Sequence, residues 1–297
     1  MPIAHEYEYL KPTSVAEAVD ILSRFENNVR CLAGGTDLIV HLKENVVRPA
    51  AVVDIKAIPE LSGIKMQGNE LRIGALVTFS EIIHSAEIKK HFPVLVEAAE
   101  TVASVGVRNR ATLVGNICSA VPSLDAAPVL LIYDAQVVVR GKNGERSISI
   151  HDWFTGPKKT SKAADELVTH VIVNKPLEKH AAAYAKLGRY RGEDLAQAGV
   201  AVMLTDNKNY RIATCALGPI AKRAPKVEAA LNSHTPSKKT FEDAAKFILS
   251  EISPITDIRA SKEYREHMAV VMTRRALEAA MARLLGKTVD VASILGG

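Results

Sequence analysis

The segment Ala33-Gly34-Gly35-Thr36-Asp37 sets two glycines, a hydroxyl and a carboxylate directly after the run VRCL. Glycines at the end of a strand let backbone N–H groups approach a ligand with no Cβ in the way. Successive N–H groups of this kind, beside a threonine hydroxyl, form an anion-binding concavity that suits a diphosphate. The segment is neither GxGxxG nor a P-loop, whose lysine it lacks, so the common nucleotide fingerprints do not apply. Taken alone, it describes a plain turn equally well. A second segment of the same kind, Thr112-Leu113-Val114-Gly115-Asn116, follows the polar stretch Ser104–Arg110 with its two arginines, Arg108 and Arg110. Two such turns can grip one diphosphate from opposite sides. The alternative is that the arginines only tie down a long loop by donating to carbonyls.

Other polar residues admit two readings each. Asp125 either faces a cofactor ring or caps a helix beginning near Ala126. Lys186, Arg189 and Arg191 cluster around Gly188, just before Glu193 and Asp194. That cluster stabilises an anionic ligand, meets an acidic partner, or is a solvated turn. His151 lies in HDWF, where Trp153 and Phe154 predict a place in the core. Cys31, Cys118 and Cys215 are far apart and lack C-x-x-C spacing, which excludes a disulfide framework, a zinc site or an iron–sulfur cluster within the chain. Their apolar or small neighbours predict buried structural thiols. No G-x-S-x-G, no H-E-x-x-H and no cysteine with an evident histidine partner appears. The chain is therefore not visibly equipped to make or break bonds in an organic substrate by itself.

Composition narrows the class. The chain has 297 residues, 47% apolar and 24% charged, which predicts a globular protein of two domains. Net charge is +5, spread without a long basic block, and only 5% of residues are aromatic; both argue against nucleic-acid binding. The N-terminus shows no apolar signal core, and no apolar run approaches the roughly 18 residues of a membrane span, so the expected address is the cytoplasm.

The elements that must position these residues follow from periodicity. Ser14-Val-Ala-Glu17 reads as a capping box, followed by Val15, Ala18, Val19 and Leu22 at helical spacing. A strand at VRCL, a helix at DLIVHLKE and a strand at AAVVDI complete an α/β unit that closes near residue 57. GIKM and LRIGAL flank Gly68-Asn69 as a hairpin, as AQVVVRG and ERSISI flank Asn143-Gly144. Thr78 and Glu81 cap a helix through Ile88, another runs from Pro93 to about Ala103, and 104–124 reads as an aperiodic loop. APVLLIYDA is a helix or a buried segment, and ELVTHVIVNK a strand. Composition shifts at Pro176–Lys179, predicting domains of 1–177 (lobes about 1–57 and 58–177) and 178–297. The second holds strands AAAYAKL, GVAVMLT and YRIATCAL, then helices at about 240–251 and 261–285, the last stopped by Gly286.

Four segments carry a resemblance: CLAGGTDL, VASVGVRNRATLVGNICSAVPSLDAAPVLLIYDA, YAKLGRYRGEDLAQAGVAV and SPITDIRASKEYREHMAVVMTRRAL. They fall in order and cover nearly the whole chain. In them the chain resembles the FAD-binding (medium) subunit of the molybdenum hydroxylases, the group of aerobic carbon monoxide dehydrogenase and xanthine dehydrogenase. The resemblance implies an α+β fold: a two-lobed FAD-binding domain like that of vanillyl-alcohol oxidase, plus a C-terminal antiparallel sheet with helices. It implies that Leu32, Ala33, Gly34, Gly35, Thr36, Asp37, Leu38, Val105, Thr112, Gly115, Asn116 and Ser119 line the FAD site. Asp125 matches an acidic position close to the flavin, and Lys186 a lysine on the strand approaching the ring. The family's TIGG is TLVG here, so Val114 replaces one close-approach glycine. The 4-hydroxybenzoyl-CoA reductase branch carries an extra iron–sulfur insertion in this subunit; three separated cysteines place this chain with the cluster-free branch.

The implied assembly is a dimer of heterotrimers. A large subunit oxidises the substrate at a molybdenum cofactor, and a small subunit with two 2Fe–2S clusters relays single electrons. FAD in this chain takes them and passes them to NAD+, a quinone or another acceptor. No metal site and no general acid or base is expected here. Arg108, Arg110, Arg189 and Arg191 are candidates for flavin or partner electrostatics. Two alternatives stay open: a self-sufficient FAD-dependent oxidoreductase of the same cofactor fold, and a docking subunit that has lost its flavin, against which the intact glycine loops speak.

Overall fold

The computed structural model describes residues 3–190, 193–232, 234–291 and 294–295. The first lobe is a small parallel sheet, with Ala51–Asp54 between Glu8–Leu10 and Val29–Leu32. Parallel strands need crossovers: the helix Val15–Phe25 joins the two outer strands, burying Ala18, Val19, Ile21 and Leu22, and the helix Leu38–Lys43 lies between Val29–Leu32 and Ala51–Asp54. Ser14 caps this helix by accepting from Glu17 N at 3.2 Å. The reciprocal bond of the expected capping box is displaced by one residue: Glu17 reaches the N–H of Thr13 at 2.8 Å.

The second lobe is an antiparallel five-stranded sheet in the order Ile64–Gln67, Glu70–Gly74, Leu167–Asn174, Gln136–Gly141, Gly144–Ser149. Both predicted hairpins form. In the second, the left-handed residue is Gly144 alone, at φ 115°. The Thr78–Glu81 capping box is complete, yet its helix ends at His84; Ser85 takes an extended conformation and caps a separate helix, Ala86–His91. The helix begun at Pro93 ends at Glu100. The stretch read as an aperiodic loop holds two short helices, Val105–Arg108 and Leu113–Ser119, each capped by a hydroxyl, from Ser104 and Thr112. Helices of one or two turns are too short to print a 3.6-residue period.

The C-terminal part is a four-stranded antiparallel sheet: His180–Leu187, Ala198–Thr205, Tyr210–Cys215 and Lys222–Arg223. Both faces are covered. Ala183, Ala185, Leu187, Val200 and Val202 pack with the long helix Lys262–Leu284. The alternate residues Ala182, Tyr184, Ala201 and Met203 pack with the first 173 residues' core. Strand side chains alternate between faces, so this sheet is the wall shared by both halves. The helix Ala126–Ile132 lies against that wall and is buried at every position, which is why its sequence is apolar all round. Truncating a side chain such as Leu130, fully buried there, costs about 2–5 kcal/mol. A helix not foreseen, Pro225–Asn232, follows the last strand. The predicted 240–251 helix begins at Lys238 on a Ser237 cap and tightens into a 3-10 turn at Lys246–Ser250. Among the described residues, no helix is long and apolar enough to cross a membrane.

Candidate functional site

The two glycine turns, one from each lobe, meet. A Cβ added to Gly34 would lie 2.0 Å from the carbonyl oxygen of Arg110 and 3.0 Å from Ala111 Cα. Only a residue without a side chain permits that approach. Ser119 donates a hydrogen bond to the Asp37 carboxylate, fastening the end of the Leu113–Ser119 helix to the first turn. Gly35, at φ 78°, takes the left-handed conformation that reverses the chain. Leu32 and Leu38 flank the turn and pack with Leu42 and Val52. Ala33 and Thr36 are half-buried within it.

The second turn is fixed from its own lobe. Phe79 N donates to Ala111 O at 3.0 Å, and Leu113 N to Val77 O at 3.2 Å. Thr112 Oγ1 accepts from Gly115 N at 2.9 Å, and a Cβ on Gly115 would stand 2.8 Å from that oxygen. Val114, the departure from the family pattern, buries its side chain in the core. Asn116 is half-buried, and its Oδ1 is buried with no hydrogen-bond partner in the protein. Such an atom costs about 1–3 kcal/mol if left unpaired, so it points to a group that joins it from outside the chain. Val105 stands exposed on its own short helix and makes none of these contacts. Arg108 donates to the carbonyls of Val102 and Ala103 at 2.9 and 2.5 Å, the loop-tying role. Arg110 is exposed.

Beyond the Leu113–Ser119 helix, about 10 Å long by its rise per residue, lies the second feature. Asp125 occupies the N-cap position of the Ala126–Ile132 helix but makes no side-chain cap bond. Its carboxylate crosses to the shared sheet instead: Lys186 Nζ lies 2.9 Å from Oδ2, and the Tyr184 hydroxyl donates to Oδ1 at 2.7 Å. Lys186 also donates to Thr101 O at 2.7 Å. Tyr184 and Lys186 are two apart on one strand, hence on the same face. Burial pushes the Asp125 carboxyl up, and the Lys186 ammonium and the Tyr184 hydroxyl pull it back. Burial, then the Asp125 charge, drive the Tyr184 phenol well above its ordinary value, so it stays a donor.

Two expectations need correction, the burial of all three thiols and the core place of His151. Cys215 is buried, but Cys31 and Cys118 keep exposed surface: they sit on the strand and helix that flank the two turns. His151 is exposed and pairs with Asp134 at 2.8 Å; Trp153 and Phe154 of that motif enter the core. Arg189 is taken up by Asp194, which accepts from its backbone N–H and from its guanidinium. Arg191 lies outside the described residues. No group of three or more His, Cys, Asp or Glu could hold a metal among the described residues. Sequence reading missed Tyr184, which a strand period counted back from Lys186 could have found. It also missed the pairs that join the two halves, Asp134 with Arg211 at 2.5 Å and Glu97 with Arg283 at 2.5 Å. No local signal marks those.

Comparison with known proteins agrees across the chain. Residues 5–176 match the family described as the FAD binding domain in molybdopterin dehydrogenase, and residues 182–280 the CO dehydrogenase flavoprotein C-terminal domain. The carbon monoxide dehydrogenase medium chain of Hydrogenophaga pseudoflava is 33% identical over 285 residues, covering 95% of this chain and 99% of that one. The xanthine dehydrogenase FAD-binding subunit of Escherichia coli O157:H7 is 32% identical, covering 94% and 97%. A solved chain of carbon monoxide dehydrogenase from H. pseudoflava superimposes with a TM-score of 0.91 at 34% identity, over 95% of this chain and 99% of that chain. With two glycine turns joined across two lobes and homology along almost its full length, this chain belongs to the family of FAD-binding medium subunits of the molybdenum hydroxylases, as an FAD-carrying subunit of a multi-subunit oxidoreductase.

Proposed function

We propose that the chain passes electrons from an iron–sulfur partner through its FAD to NAD+, a quinone or another acceptor. The observation that carries the reading is the junction of the two glycine turns, where Gly34 abuts Arg110 and Asp37 is bonded to Ser119. In this reading the turns at 33–37 and 112–116 hold the diphosphate by backbone N–H groups, and the unpartnered Asn116 Oδ1 accepts a hydrogen bond from the cofactor. Leu32, Leu38 and Ser119 keep the turns in place, and Asp125 with Lys186 lies toward the ring. The same reading takes Val105, exposed on the short helix Val105–Arg108, as a border of the site. Bound FAD supplies the redox chemistry, exchanging one or two electrons. The chain's own residues bind, orient and set charge: Lys186 contributes an ammonium whose field is largely balanced by Asp125 at 2.9 Å.

The domain division at about 177, the partners and their assembly are part of the same proposal. The partners are a small subunit with two 2Fe–2S clusters and a molybdenum-cofactor large subunit, in a dimer of heterotrimers. Support for them comes from relatives named as medium chains or FAD subunits of carbon monoxide and xanthine dehydrogenases. The three unpaired cysteines favour a reducing compartment, the cytoplasm.

Titration of the flavin-free chain with FAD tests the core of the reading. Binding should quench flavin fluorescence at one equivalent, and a Gly34→Ala chain should bind far more weakly. A second arm isolates the native complex and identifies its chains. A chain that turns over an organic substrate alone would favour the self-sufficient flavoenzyme instead.

A further inference from the structure

The Asp125–Lys186 pair is completed by a residue that no motif announces. The Tyr184 hydroxyl is wholly buried, donates to Asp125 Oδ1 at 2.7 Å and lies 3.6 Å from Cys215 Sγ. Room for it is made by Gly199. That glycine sits inside a strand, in register with Lys186 on one side and Cys215 on the other. A Cβ there would lie 2.5 Å from Cys215 Sγ and 2.7 Å from the Tyr184 hydroxyl. Its φ is not in the left-handed region, so space and not conformation accounts for the glycine. Glycine inside a strand weakens it and often marks a close approach; here the approaching group is the tyrosine hydroxyl.

Without that hydroxyl, Asp125 Oδ1 loses its hydrogen bond, and the side chains left facing it are Lys186, already engaged at Oδ2, and the weakly donating Cys215 thiol. Lys186 and Tyr184 stand on His180–Leu187, and Cys215 on Tyr210–Cys215. The carboxylate would be free to turn about its own bond. Lys186 engages two of its three ammonium protons, at Asp125 and at Thr101 O. A carboxylate that turns loosens the first of these.

We infer that Tyr184 is a positioning residue: through the space left by Gly199 it holds Asp125 in the one orientation that pins Lys186, and so sets the charge that the chain presents to the flavin. This rests on the proposed reading that the pair lies toward the ring.

The test uses the full chain in two readouts, the dissociation constant for FAD and the midpoint potential of the bound flavin. Tyr184→Phe keeps the ring and removes only the hydroxyl. The expected result is FAD binding weakened about tenfold, the order of one hydrogen bond to a charged group. The potential moves positive, because a less well pinned carboxylate neutralises Lys186 less. Gly199→Ala displaces the same hydroxyl and should give the same two changes, which keeps the test alive if Tyr184→Phe fails to fold. Asp125→Asn and Lys186→Met are run in parallel. If these two change both readouts while Tyr184→Phe and Gly199→Ala change neither, the role of Tyr184 is overturned and the placement of the pair survives. If none of the four changes either readout, the pair does not address the flavin and both readings fall.

Discussion

Gly34 and Arg110 are 76 positions apart in the chain, yet a β-carbon on the first would stand 2.0 Å from the carbonyl oxygen of the second. The two lobes therefore touch backbone to backbone, and the size of one side chain decides whether they can.

Gly34→Ala should separate the turns. Forcing a methyl against a backbone carbonyl costs about 1–3 kcal/mol by the usual scale of overpacking. FAD binding should fall further than stability does, since the geometry of the site is what is spoiled. Gly63→Ala is the control: φ is 90° and nothing lies within 4 Å. It carries about 1–2 kcal/mol of backbone strain with unchanged FAD affinity. Urea unfolding and FAD titration measure both, and equal FAD affinity in the two variants would contradict the junction.

Asp37 and Ser119 should prove coupled. In a double-mutant cycle with Asp37→Asn and Ser119→Ala, one hydrogen bond between partly exposed groups predicts an interaction of about 0.5–1.5 kcal/mol in FAD binding. A coupling energy near zero would mean that the turns are held by Gly34 alone.

Lys186→Met should be the more damaging half of the buried pair. It leaves Asp125, 6% exposed, without its counter-charge, a loss of about 3–5 kcal/mol. Asp125→Asn keeps an acceptor for Tyr184 and should cost less. Chemical denaturation at pH 7 decides; the reverse ranking would show that the carboxyl is neutral there.

Acid should weaken the fold through His170. Burial lowers its pKa from the ordinary 6.5 to about 4, with Arg72 adding to the effect. The folded state thus binds fewer protons than the unfolded chain between these values. Stability held above pH 6.5 is lost as pH falls toward 4, up to about 3 kcal/mol for a shift of this size. His170→Gln should flatten that part of the curve, read as Tm at pH 7 and at pH 4.5. An unchanged slope would assign the loss to other groups.

The sequence alone determined the residue types at both turns, the family they belong to, most strands, and the two hairpins. Those features are local: a glycine's freedom, a period of two, a turn pair. Caps were legible to within a residue, as with Thr13 standing in for Ser14. Short helices at 105–108 and 113–119 escaped because one or two turns carry no period. Only the tertiary structure decided that Asp125 forgoes its cap for Lys186 and Tyr184, that Cys31 and Cys118 keep exposed surface, and that the two turns share a contact. Each of these depends on which backbone arrives opposite, and a chain met one residue at a time does not record what packs across from it.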